Sequence, residues 1–205
     1  MLDVTQRPIV VIGGGTVAKR KVAGLLDAGA ARVRVVALEF QPDFAKPGSI
    51  ERITAAYDAK YLDEAELVFA VTDSPEVNEQ VVRDAHARRI WVNRADDGES
   101  QGDFATPALH RQGEVTLTVS AGSAALSAAI RDRFADRLDR RYVKMADAML
   151  TLRPTIRDSG LAGHRRQAIF RDLASDEAIS ALHAGGLEHL RQWLVARYPE
   201  LKLTP

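Results

Sequence analysis

Three consecutive glycines, Gly13 to Gly15, stop an apolar run and precede a basic, amphipathic one. From Gly13 to Ala18 the residues read Gly-x-Gly-x-x-Ala, a spacing suited to binding a diphosphate by main chain. Gly13 permits a tight turn out of a strand, and Gly15 lets the backbone approach a pyrophosphate with no Cβ in the way. Ala18 lets the following helix sit close to that strand. The first N–H groups of the helix then face the phosphates. A glycine-rich turn that binds nothing would use the same residues. Context favours the nucleotide, because the motif lies directly between a strand-like and a helix-like segment. An acid at the end of the next strand would accept from ribose hydroxyls and repel a 2′-phosphate, favouring NAD over NADP. Glu39 stands slightly beyond that place and reads equally well as a solvated loop acid.

Other chemistry is sparser. There is no cysteine, which excludes disulfides and thiolate metal sites. The five histidines, His86, His110, His164, His183 and His189, form no HxxxH pair, and no resident metal is expected. Arginines crowd the stretch after Ile130, but Asp132, Asp136 and Asp139 interleave with them, so ion pairs on an exposed helix face account for most of that pattern. Lys plus Arg and Asp plus Glu each number 28, a zero net charge that argues against a general nucleic-acid binder. No apolar run approaches the ~20 residues that span a bilayer. The N-terminus lacks a signal-peptide pattern, and the chain reads as a soluble cytoplasmic protein.

The glycine motif needs a scaffold, and the first half of the chain supplies one. "PIVVI", Arg32 to Leu38, a short piece near Ile50 to Ala55, "ELVFAVTD" and "IWVNRAD" read as strands. A helix starting at Thr16 and stopping near Gly29 separates the first two. A second helix has Ser74 as its cap and Pro75 at its first position. Pro42, Pro47 and Gly48 mark a loop, and "YLDEA" a helical turn. This alternation implies right-handed βαβ units and a parallel sheet, an α/β Rossmann-like fold. Beyond "DDGESQGDF" the texture changes to one alternating strand, "EVTLTVSAG", then a long amphipathic helix from Ser127, broken at Pro154 and Gly160. Three shorter helices follow, "RRQAIFRDLAS", "DEAISALHAGG" and "LEHLRQWLVARY".

Taken in order, "GGGTVAKRK", "AVTDSPEVN", "VNRAD", "DFATPA" and "GEVTLTVSAG" resemble the precorrin-2 dehydrogenase/sirohydrochlorin ferrochelatase family. The same module forms the N-terminal part of siroheme synthases. The resemblance implies NAD-dependent conversion of precorrin-2, a tetrapyrrole, to sirohydrochlorin, with Fe²⁺ insertion as a second step in bifunctional members. It implies a homodimer of three-part chains: a Rossmann domain at 1–108, a dimerisation region of strand plus long helix at 109–147, and a small helical domain at 148–205.

The same resemblance assigns residues. Thr16 and Val17 fall at the pyrophosphate, Leu38 and Glu39 on the adenosine side, and Thr72 and Asp73 along the cofactor cleft. Asn93 and Asp96 fall in the segment of the catalytic aspartate, with Asp96 as the base that takes protons from the tetrapyrrole and Asp97 as its competitor. The substrate's carboxylates call for cations, and Arg94, Arg111 and Arg131 are candidates. The family's Gly-Thr-Ser-Pro stretch is replaced here by "SAALSAA". Ala125 stands where relatives carry serine, with Ser120 or Ser123 as substitutes, which sets iron insertion apart from dehydrogenation. A contrasting reading is a nucleotide-sensing module like those on potassium channels, which binds NAD without turnover. Such a module has no need of the "DFATPALHRQGEVTLTVSAG" block or of the helical tail.

Overall fold

The computed structural model describes residues 2–46, 48–96 and 102–201. They form two compact units, Met1–Thr106 and Pro107–Pro205.

In the first unit, runs of β-branched residues make strands buried on both faces, β1 (Ile9–Ile12) and β2 (Val33–Ala37). β3 (Glu51–Thr54), β4 (Leu67–Ala70) and β5 (Trp91–Arg94) complete a parallel sheet in the order β3-β2-β1-β4-β5. Successive strand residues point to opposite faces, so β1 feeds two cores. Ile9 and Val11 pack with Ala18 and Val22 of helix α1 (Thr16–Asp27). Val10 and Ile12 pack on the other face with Val81, Val82 and Ala85 of helix α2 (Pro75–Ala87). Ser74 caps α2 as its type predicts, its Oγ accepting from Val77 N at 3.2 Å. The short piece after β3 is a 3₁₀ turn, Ala59–Leu62.

Strand order reverses between β1 and β4. An open parallel sheet leaves a crevice at the carboxyl ends of its strands at such a switch point. The far edge, β5, is closed by the chain itself. Asp103 N donates to Val92 O at 2.7 Å, and Asp103 Oδ2 accepts from Val92 N at 2.8 Å. Gly102 fits there because a Cβ would meet Arg94 N and Val92 O at 2.7 Å.

The second unit begins with an antiparallel hairpin, β6 (Ala108–Gln112) and β7 (Val115–Val119), turned at Gly113 with φ +54°. The sequence pattern gave β7 but not β6. Four helices follow: α3 (Ala124–Ala135), α4 (Arg140–Arg157), α5 (Gly163–Leu173) and α6 (Asp176–Arg197). Leu152, Ile156, Ile169, Leu173, Leu190 and Leu194 are the centre of their core.

The expected long helix is two helices, because Asp139 caps α4, its Oδ1 accepting from Arg141 N at 2.9 Å. Nor does Pro154 end α4. Proline removes one helical hydrogen bond, but the helix keeps Leu152 and Ile156 buried on either side of it and runs on to Arg157. The last two expected helices are one element broken at Gly185 and Gly186, where the backbone leaves helical angles. On α3, Leu126 and Phe134 are exposed and Ser127 alone is buried.

Candidate active site

The glycine turn lies at the carboxyl end of β1, and the three glycines have different surroundings. Gly13 has φ +136°, and a Cβ on it would lie 2.5 Å from Val71 O. A Cβ on Gly14 would lie 1.8 Å from Glu39 O. A Cβ on Gly15 would meet nothing within 4 Å, so the space in front of this residue is open. Gly15 is also the N-cap of α1, which has no side-chain cap and no acid in its first turn. Its leading N–H groups and its dipole are therefore directed at that open space, a cradle fit for a diphosphate.

The loop after β2 is fastened to this turn. Gln41 N donates to Gly14 O at 2.9 Å, and Lys19 Nζ to Pro42 O at 2.9 Å. Leu38 and Glu39 thereby lie beside the glycines. Both are exposed, and Leu38 is 70% accessible. Thr16 and Val17 are exposed at the start of α1. On the other side of the switch point, β4 leads into Thr72 and an exposed Asp73.

Asp96 follows β5 by two residues, and among the described residues Arg94 and Asn78 hold it. Arg94 forms a two-pronged pair with it, Nε on Oδ1 and Nη2 on Oδ2 at 3.2 Å. Asn78 Nδ2 donates to Asp96 Oδ2 at 2.9 Å. The Arg94 side chain is only 4% exposed and also reaches Glu79 Oε2 at 2.5 Å. The Asp96 carboxylate, then Glu79, hold this guanidinium above its ordinary pKa against the opposing effect of burial. The cation offered by sequence as a substrate contact is thus engaged inside the protein by Asp96 and Glu79.

Asn93 is 4% exposed, and its Nδ2 donates to Phe104 O at 2.7 Å. Its Oδ1 is buried and has no partner among the described residues. Arg111, Ser120 and Arg131 belong to the second unit, where Arg111 and Ser120 are exposed and Arg131 pairs with Asp132 at 2.6 Å. Asp97 lies outside the described residues, as do Pro47 and Gly98. Among the described residues no group of three or more His, Asp or Glu is placed to hold a metal. A concavity of about 420 Å³ lies at the opposite end of the sheet, between Pro8, Arg32, Arg34 and Glu64. Of its charged lining, Arg34 pairs with Glu51 and Arg32 with Glu64.

Sequence reasoning passed over Asn78. It lies in "AVTDSPEVN" on the buried stripe of α2, in step with Val81, Val82 and Ala85, and is 1% exposed. A polar residue on an apolar stripe was the available signal.

An uncapped helix behind three glycines, at the switch point of a parallel sheet, defines a nucleotide-binding Rossmann-like protein. Residues 1–108 match the family model described as "Putative NAD(P)-binding". The chain belongs to that NAD(P)-binding family. It is 30% identical over 205 residues to the siroheme synthase of Methylobacillus flagellatus, covering 96% of this chain and 44% of that one. It is 35% identical over 150 residues to siroheme synthase 1 of Serratia proteamaculans, covering 71% and 31%. It thus spans less than half the length of these curated relatives. The solved structure titled "SirC, precorrin-2 dehydrogenase" superposes with a TM-score of 0.76 at 22% identity, covering 96% of this chain and 98% of that one, and shares the fold.

Proposed function

We propose that this chain is a dehydrogenase that oxidises precorrin-2 to sirohydrochlorin with NAD⁺. The single observation that carries this reading is a carboxylate, Asp96, held by Arg94 and Asn78 just beyond the carboxyl end of β5, in the same unit and at the same rim as the uncapped glycine turn. NAD⁺, when bound, supplies the hydride acceptor. The chain's own residues do the rest. The backbone of Gly13 to Gly15 and the start of α1 hold the pyrophosphate, with Thr16 and Val17 alongside. Leu38 covers the adenosine and Glu39 accepts from its ribose, which favours NAD over NADP. Asp96 takes the proton that leaves the tetrapyrrole, and Arg94 and Asn78 orient the carboxylate that receives it. Arg111 and Arg131 are the remaining candidates for the substrate's carboxylates.

The names of the siroheme synthase relatives support the pathway, and the fold likeness to a precorrin-2 dehydrogenase agrees with it. Among the described residues no helix is long and apolar enough to cross a membrane, and a cytoplasmic location fits this chemistry. Exposed Leu126 and Phe134 on α3 support a homodimer through the region 109–147. Ala125 leaves iron insertion as a separate question for this chain. Mixing the protein with precorrin-2 and NAD⁺ and following the sirohydrochlorin spectrum tests the reading. No spectral change would favour an NAD-binding regulatory module, and repetition with Fe²⁺ or Co²⁺ tests metal insertion.

A further inference from the structure

We infer that Asn78 is a positioning residue that fixes the proton-accepting oxygen of Asp96 relative to the end of β4. The inference rests on the dehydrogenase reading above, and on four hydrogen bonds that use the whole capacity of one amide. Asn78 Oδ1 accepts from Thr72 N at 3.0 Å and from Thr72 Oγ1 at 2.8 Å. Its Nδ2 donates to Thr72 O at 3.0 Å and to Asp96 Oδ2 at 2.9 Å. An amide has two donor hydrogens and two acceptor lone pairs, and all four are engaged.

The amide therefore has one orientation. A flip would set its oxygen against two acceptors, Thr72 O and Asp96 Oδ2, and its NH₂ against the Thr72 N–H. At 1% exposure no water is available to repair that arrangement. Helix α2 thus carries a rigid link between the end of β4 and the carboxylate beyond β5. Arg94 grips the same carboxylate from its own strand. Asn78 fixes its place, because it alone of these two groups is also tied to Thr72.

Asn78→Asp tests this with almost no change of shape. It replaces the donor facing Asp96 by an oxygen, and two carboxylate oxygens at hydrogen-bond distance must share a proton. The acid limb of the kcat profile should then move upward by about one pH unit or more. The Asp96 carboxyl resonance, followed by NMR without substrate or cofactor, should move with it. In the unmutated protein, the Asn78 side-chain amide resonance should titrate together with Asp96. Asn78→Ser, which keeps an acceptor for Thr72 N but removes the donor, should lower kcat about tenfold and leave the KM for NAD⁺ little changed. It also serves as the second variant should the aspartate fail to fold.

A folded Asn78→Asp protein with an unshifted Asp96 titration overturns the inference. So does an Asn78 amide resonance that is blind to the protonation of Asp96. Absence of turnover in the unmutated protein strikes instead at the dehydrogenase reading, and the two resonances still decide whether Asn78 governs Asp96.

Discussion

Gly14 passes so close to Glu39 that a side chain on it has nowhere to go: a Cβ would stand 1.8 Å from the Glu39 carbonyl oxygen. Next to it, a Cβ on Gly15 would touch nothing within 4 Å. Neighbouring residues of one type thus serve opposite ends, one internal packing and the other an open approach. Gly14→Ala should destabilise the first unit by about 3 kcal/mol, the upper range for overpacking against backbone. Gly15→Ala should leave stability within about 1 kcal/mol of the original while weakening NAD⁺ binding about tenfold. Urea unfolding and calorimetric titration of each variant read the two effects separately.

On the proposed function, Asp96→Asn removes the proton acceptor but keeps a polar group of the same shape between Arg94 and Asn78. The conversion of precorrin-2 should slow by about a hundredfold or more, with NAD⁺ affinity retained. Stopped-flow spectra and cofactor titration check the two halves of this statement, and near-normal turnover would move the base to another residue.

Acid should loosen the second unit in a way that depends on Asp172. Its Oδ2 accepts from Arg197 Nε at 2.7 Å and from the Tyr198 hydroxyl at 2.8 Å. Arg197 first, then Tyr198, hold the carboxyl below its ordinary value of 3.8. A carboxyl depressed on folding adds stability above its unfolded pKa, and that stability is lost as pH falls through the folded value. The melting temperature should therefore drop below pH 3.8, and Asp172→Asn should flatten this part of the curve. Thermal melts across the acid range, with and without the substitution, measure it.

Phe134 is 60% exposed on a helix that buries only Ser127. If a second copy covers this face, Phe134→Glu should convert the dimer to a monomer in sedimentation while the far-ultraviolet spectrum stays the same. A monomeric starting protein would remove the premise.

The parts of this molecule that sequence revealed are those whose cause is local. Val10 to Gly15 spells a buried strand and a tight turn within a few residues, and the sheet of five strands follows from repeating that alternation. What stayed hidden depends on distant partners. Asn78 matters because of Thr72 and Asp96, and the second lies 18 residues away. Arg94 read as a surface cation until Glu79 and Asp96 were seen around it. Pro154 looked like a helix stop, yet the burial of Leu152 and Ile156 outweighs the lost hydrogen bond. Strand β6 carries no apolar alternation strong enough to announce itself, and it forms because β7 offers a full ladder.

Asp103 mimics one residue of a missing sixth strand, occupying both the N–H and the carbonyl of Val92 that would otherwise face outward. At the other margin β3 is four residues long and carries Glu51 and Arg52. Neither border of the sheet offers a long, flat template on which a neighbouring chain could zip up. This disfavours growth of fibres through the sheet, and Asp103→Ala would free the Val92 N–H while leaving its carbonyl paired with the backbone of residue 103.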